Sequence, residues 1–303
     1  MTVWFNHPPH NYVDAEVVDA LDEFLRRLET DESVGAVVLA GRPDGQWFTH
    51  FDVAEILAEA QTARRYGLRP SQRRARALMG LVRVLCRIPG IEQGLRRTPA
   101  GGLVTLRRLE RIYERMLSSN KAFVAAIDGL AFGAGFSIAM ACDVRLLADS
   151  DHPFGLPEPV LDFFPVGPVR RMARTIGDAR TIELLLECSW FPPKAAAEIG
   201  LVSRVVPVER LIDEAQATAA RLARRAPATV RSIKQAVYGQ GSYRRLRADL
   251  AFESVAFLAT SSAPRALETM EGFVNDAQGD GLADETALLN AWRQARDRSA
   301  DQR

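Results

Sequence analysis

Lysine is scarce in this chain of 303 residues. Only Lys121, Lys194 and Lys234 occur, and arginine supplies the other positive charges. The net charge is +1, so no global charge excess points to nucleic acid or to a membrane surface. Cysteine is also scarce. Cys86, Cys142 and Cys188 are far apart and odd in number, which excludes a disulfide framework and suggests a reducing compartment. The four histidines, His7, His10, His50 and His152, lack zinc-ligand spacing, and there is no CxxC, so no metal site is expected. The opening MTVWFNHPPH has neither the basic region nor the apolar core of a signal peptide. Residues 129–142 form the longest apolar stretch, shorter than the ~20 residues of a membrane span. The expectation is a soluble cytoplasmic protein.

What is present suits a globular α/β chain, with 47% hydrophobic and 25% charged residues. Val17, Val18, Leu21, Phe24, Leu25 and Leu28 share one helical face, with Asp14 as the N-cap. VGAVVLAG, AFVAAID (122–128) and VRLLAD (144–149) read as buried strands. Asp52 and Glu55 have capping-box spacing, which predicts a helix from Val53. Residues 61–115 hold fourteen arginines and three acidic residues, in two helical pieces separated by RIPGIEQGLRRTPAGG. The segment reads as a solvated helical excursion or as a basic docking surface. Residues 192–207 read as a helix, a turn at Gly200 and a short strand. Two helices broken at Pro227 follow. Residues 243–275 and 282–298 read as further amphipathic helices. Strands early and helices late predict an α/β core, residues 1–205, with a helical C-terminal region, 206–303.

The most informative stretch is AIDGLAFGAGFSIAMACDVRLLAD, residues 126–149. A strand runs into a glycine-rich turn that opens a helix. A dinucleotide turn would carry a third glycine, but position 138 is Ile, and Glu158 sits in FGLPEP rather than at the end of a second strand. The glycines can simply let backbones approach closely. A helix N-terminus also leaves N–H groups unpaired, and one of these can stabilise an oxyanion. A second donor would come from WFTHFD, just before the Asp52 helix.

Four segments in order resemble the crotonase (enoyl-CoA hydratase/isomerase) superfamily. They are FNHPPHNYVDAEVVDALDEFLRRLETDESVGAVVLAG, WFTHFDVAEI, KAFVAAIDGLAFGAGFSIAMACDVRLLAD and FGLPEPVLDFFP, with a weaker match at APATVRSIKQAVYG. The resemblance implies a spiral core of ββα units and C-terminal helices that build a homotrimer or hexamer. It implies an acyl-CoA substrate, a place in fatty-acid metabolism and no cofactor beyond the coenzyme A of the substrate. Carried over to this chain, the oxyanion donors are the N–H groups of Phe51 and Ala134. His50, Gly133, Gly135, Ser137, Asp162 and Gly167 shape the substrate site. His50 and Phe51 replace small residues of the family pattern, and Val166 and Pro168 replace a glycine-rich helix start.

Family hydratases carry two glutamates. Here Glu158 fills the second position and Ser137 stands at the first. Hydration benefits from two carboxylates, whereas moving a double bond needs one base to take a proton from C2 and return it at C4. A serine hydroxyl without a partner is a poor base. The pattern therefore points to isomerisation of 3-enoyl-CoA to 2-enoyl-CoA by Glu158, with Asp162 as a spare acid nearby. Hydration, another reaction such as hydrolysis or decarboxylation, and a non-catalytic acyl-CoA binder are the alternatives.

Overall fold

The chain begins with β1 (Thr2–Phe5), α1 (Ala15–Leu28), β2 (Ala36–Gly41), α2 (Val53–Arg65), α3 (Gln72–Leu85), α4 (Ile91–Arg96) and α5 (Gly101–Ser118). Next come β3 (Ala122–Ile127), β4 (Ala131–Phe132), α6 (Gly133–Ala141), β5 (Val144–Ala148), β6 (Phe154–Gly155) and a 3-10 turn at Glu158–Leu161. Then follow α7 (Val169–Ile176), α8 (Asp178–Leu186), β7 (Trp190–Phe191), α9 (Pro193–Glu198) and β8 (Arg204–Val206). The chain ends with α10 (Leu211–Leu222), α11 (Pro227–Val237), α12 (Arg244–Ser261), α13 (Pro264–Gly279) and α14 (Glu285–Asp301). This computed structural model describes residues 1–42, 46–66, 71–167, 169–239, 243–279 and 285–301. Pro168 and residues 282–284 lie outside the described residues.

The main sheet has the order β1-β2-β3-β5-β8, and every pairing in it is parallel. Alternation along β2 and β3 divides their side chains between two layers. Val37, Leu39, Phe123, Ala125 and Ile127 join α1, α5 and α6 in one core. Ala36, Val38, Ala40, Val124 and Ala126 meet Leu211, Ala215 and Ala219 of α10 in another. Burial on both faces explains why these strands are apolar throughout. A small second sheet, β4-β6-β7, branches off beside the glycine turn. The expected boundary after residue 205 falls inside β8, and α10 covers the sheet.

Helix α1 starts where expected. Asp14 Oδ1 accepts from the Val17 N–H at 2.8 Å. Helix α2 starts at Val53, and the Asp52 carboxylate accepts from the Ala54 N–H at 2.9 Å. The second half of the expected capping box does not form. The Asp52 N–H is bonded to Val13 C=O, and Glu55 accepts from the Ala15 N–H instead. The expected single helix over 243–275 is two, because Pro264 opens α13 at its first position, where a missing N–H is harmless.

The arginine-rich segment is helical, as expected, and only part of its basic charge faces solvent. It holds α3 and α5 with the short α4 between them; Arg83, Arg96, Arg107, Arg108, Arg111 and Arg115 are ion-paired within the chain, while Arg73, Arg74, Arg76, Arg87 and Arg97 are exposed. Arg108, Arg111 and Arg115 form one stripe of α5 that faces Asp19 and Asp22 on α1 and Glu92 on α4. Arg111 lies 2.9 Å from Asp22 and 2.7 Å from Glu92. Arg96 also pairs with Asp19, while Arg83 and Arg107 pair with buried Glu110. The other side of α5 puts Leu109, Ile112, Tyr113 and Met116 in the core. The basic composition thus clips an inserted helical layer onto α1.

The last helices close the structure over one end of the sheet. Phe273 on α13 and Leu288, Leu289 and Trp292 on α14 pack with Val53, Ile56, Leu57, Phe132, Leu161 and Phe163. Among the described residues, no helix is long and apolar enough to cross a membrane.

Candidate active site

The WFTHFD loop and the glycine turn are locked together by backbone contacts. Trp47 N–H donates to Asp128 C=O at 2.7 Å, and Phe132 N–H to Thr49 C=O at 2.8 Å. The Trp47 indole donates to Gly135 C=O at 2.9 Å. A Cβ on Gly135 would stand 1.9 Å from the Phe48 carbonyl oxygen, so only glycine allows this approach. Asn11 holds the loop from the other side. Its side-chain amide donates to the Arg42 and Gln46 carbonyls, each at 2.8 Å.

These contacts orient two backbone donors. Phe51 forms a parallel bridge with Val13, using the His50 carbonyl and the Asp52 N–H. In that pairing the Phe51 N–H itself points away from the bridge. Ala134 is the second residue of α6, where an N–H has no intrahelical partner. Both residues line an open cavity, together with His50, Gly133, Pro157 and Glu158. Gly133 has φ +48, and a Cβ there would lie 2.8 Å from Glu158 Oε1. Glycine is therefore needed both for the backbone conformation and for the carboxyl beside it.

Glu158 opens the 3-10 turn after Pro157 and is 7% exposed. Its Oε2 is buried without a hydrogen-bond partner among the described residues. Burial pushes its pKa up to about 8, because no cation offsets the lost hydration. His50 is also buried. Its Nδ1 lies 2.7 Å from the Phe51 carbonyl, which can only accept, so Nδ1 carries the proton. Nε2 is then an acceptor, and burial lowers the imidazole pKa to about 4, which keeps the ring neutral. Its edge-to-face packing on Trp292, with centroids 5.3 Å apart, fixes the ring in the cavity wall.

The remaining expected residues lie elsewhere. Ser137 is 1% exposed, stands off the cavity wall and donates to the Val166 carbonyl at 3.2 Å. Gly167 closes over it, and a Cβ on Gly167 would stand 1.9 Å from Ser137 Oγ. Gly135 and Gly167 are thus packing glycines behind the wall. Asp162 has φ +59 and pairs with Arg265 at 2.8 Å, also off the wall.

The reading of the sequence overlooked the opposite half of the lining. Ile56 and Glu59 come from α2, Gly102, Thr105, Leu106 and Leu109 from α5, Phe257 from α12 and Trp292 from α14. Ile56 and Glu59 are three residues apart on one helical face, a spacing visible in the sequence once the helix start is known.

A buried carboxyl and two backbone N–H groups along one apolar chamber suit a thioester whose carbonyl oxygen gains charge during reaction. The chain matches the enoyl-CoA hydratase/isomerase family over residues 71–280 and belongs to that family. It is 28% identical over 273 residues to the short-chain-enoyl-CoA hydratase of Clostridium acetobutylicum, covering 90% of this chain and 89% of that protein. It is 30% identical over 171 residues to the 2,3-dehydroadipyl-CoA hydratase of Escherichia coli, covering 56% of this chain and 66% of that one. The fold is the crotonase fold. Human mitochondrial delta3-delta2-enoyl-CoA isomerase superimposes with a TM-score of 0.68 at 21% identity, covering 92% of this chain and 95% of that one. An enoyl-CoA hydratase/isomerase from Xanthobacter autotrophicus Py2 gives 0.69 at 23% identity, covering 98% and 94%.

Proposed function

We propose that this chain moves a double bond within an enoyl-CoA thioester, from the 3-enoyl to the 2-enoyl position. The observation that carries this reading is the closure of position 137. Ser137 is bonded to Val166 and covered by Gly167, so a second glutamate has no room there without displacing that backbone. Glu158 then stands as the base in the cavity lined by the oxyanion donors Phe51 and Ala134.

The substrate's thioester oxygen accepts from both N–H groups. Glu158 as carboxylate removes a proton from C2, and the donors hold the charge of the resulting dienolate. Reprotonation at C4 gives the 2-enoyl product. A base with a pKa near 8 is mostly protonated at neutral pH but, once ionised, is strong enough for a carbon acid.

Hydration is the second reading, and the similarity to the Clostridium short-chain-enoyl-CoA hydratase supports it. Mass spectrometry of products from 3-enoyl- and 2-enoyl-CoA, with wild type and Glu158→Gln side by side, separates the two. Isomer of unchanged mass supports the proposal. A product heavier by one water, formed as the main product, replaces it with hydration. Thioester cleavage, decarboxylation or binding without turnover would replace both.

The same reading includes self-association as a homotrimer or hexamer. Exposed Ile182 and Leu186 on α8 and Ile233 and Val237 on α11 support it, and light scattering checks it.

A further inference from the structure

We propose that Glu59 is a second proton-transferring residue of this site, serving the acyl carbon that lies beyond the reach of the thioester-binding donors. The proposal rests on the enoyl-CoA reading above. Helix α2 starts directly after the Phe51 loop and carries Glu59 two turns on, about 9 Å along its axis from Val53. Glu59 lines the same cavity as Glu158. It also lines a second, apolar cavity formed with Ala60, Ala63, Leu78 and Leu258. The two cavities share Ile56, Glu59, Gly102 and Phe257, but Phe51, Ala134 and Glu158 belong to the first alone. An acyl chain held at its thioester and running past Glu158 therefore meets Glu59 before it enters the second cavity.

The fold also keeps space for this carboxyl. A Cβ on Gly102 would lie 1.9 Å from Glu59 Oε2. Among the described residues no hydrogen bond or ion pair holds the Glu59 carboxyl, and the residue is open to solvent. Crowding by the walls and then Glu55 raise its pKa. Solvent and the positive end of α5 beside Gly102 oppose that rise.

In the proposed step, Glu158 carboxylate takes the C2 proton, and the C2–H electron pair enters the dienolate. Protonated Glu59 gives its proton to C4, where the C3–C4 π electrons form the new C–H bond. The C2–C3 double bond forms and the thioester carbonyl is restored. One proton has moved from Glu59 to Glu158, and exchange with water resets both.

A 3-enoyl-CoA deuterated at C2 and turned over in ordinary water tests this. Wild type is expected to give product without deuterium at C4. Glu59→Gln is expected to lower kcat on the order of 100-fold. Its residual product carries C2 deuterium at C4, because Glu158 is left as the only shuttle. Glu59→Asp recovers part of the rate, and thermal melting verifies that each variant is folded. Full kcat in Glu59→Gln, or C4 deuterium already in wild-type product, overturns the role of Glu59 alone. Absence of any isomerisation by wild type overturns the enoyl-CoA isomerase reading and this role with it.

Discussion

The two halves of the cavity are built by different physics. One half is backbone: the Phe51 loop, the glycine turn and the 3-10 turn of Glu158 are joined by hydrogen bonds and glycine approaches. The other half is side chains on α2, α5, α12 and α14, brought together by packing and by the arginine stripe. The first half has little freedom, since a Cβ on Gly135 would collide with a carbonyl. The second can change its lining without moving the Phe51 or Ala134 backbone. In the proposed reaction, chemistry belongs to the rigid half and the choice of acyl group to the adjustable one.

The largest effect expected is on Glu158. Glu158→Gln should lower kcat by roughly 10²–10⁴-fold, read in a steady-state isomerase assay. The same change should stabilise the fold in alkali. The carboxyl pKa is raised from 4.5 to about 8 on folding, so the native state binds the extra proton between those values. The stability it confers is complete below 4.5 and falls by about 1.4 kcal/mol per pH unit as pH rises to about 8. Glutamine carries no such penalty, so the melting temperature of the variant should exceed that of wild type at pH 9. A variant melting below wild type there would mean that Glu158 is not buried uncompensated.

Next in size is Gly135→Ala. The added carbon would force the WFTHFD loop away from α6. About 1–3 kcal/mol of stability should be lost. Displaced donors should cost about 100-fold in kcat/KM. Normal turnover in Gly135→Ala would show the backbone half to be less rigid than its contacts imply.

The backbone half was largely legible in the sequence. Gly133, Gly135 and Glu158 stand in one contiguous pattern, and Asp14 and Asp52 mark helix starts that the structure retains. Local signals of this kind need no knowledge of distant residues. The side-chain half was not legible. Arg111 reads as a surface charge until Asp22 is brought against it across 89 positions. The role of Glu55 changed because Val13, remote in sequence, takes the Asp52 N–H. Ser137 was expected in the substrate site because it stands where the family pattern carries a glutamate. Its short hydroxyl turns instead to the Val166 carbonyl. The break at Pro264 was readable, since proline after Ser-Ser-Ala favours a new helix start.

Arg111→Ala probes the packing half without touching the cavity. The guanidinium joins Asp22 and Glu92 at 19% side-chain exposure, between a surface pair and a buried one. A loss of about 2 kcal/mol is expected by denaturant titration. kcat should not change. A drop in kcat with stability intact would mean that the inserted helices set the chemistry as well as the lining.

The smallest stability change and the sharpest test of the comparison come from Gly102→Ala. Alanine should favour helix α5 by up to about 1 kcal/mol over glycine. The new carbon meets Glu59 Oε2 at 1.9 Å, but that is the end of a flexible side chain with open solvent beside it. Displacing the carboxyl should offset the helix gain and leave stability within about 0.5 kcal/mol of wild type. Turnover, by contrast, should fall about tenfold if Glu59 delivers a proton from its present place. The same added carbon has opposite consequences in the two halves. At Gly135 it meets a carbonyl that cannot move, so fold and rate fail together. At Gly102 it meets a side chain that can move, so rate falls while the fold persists.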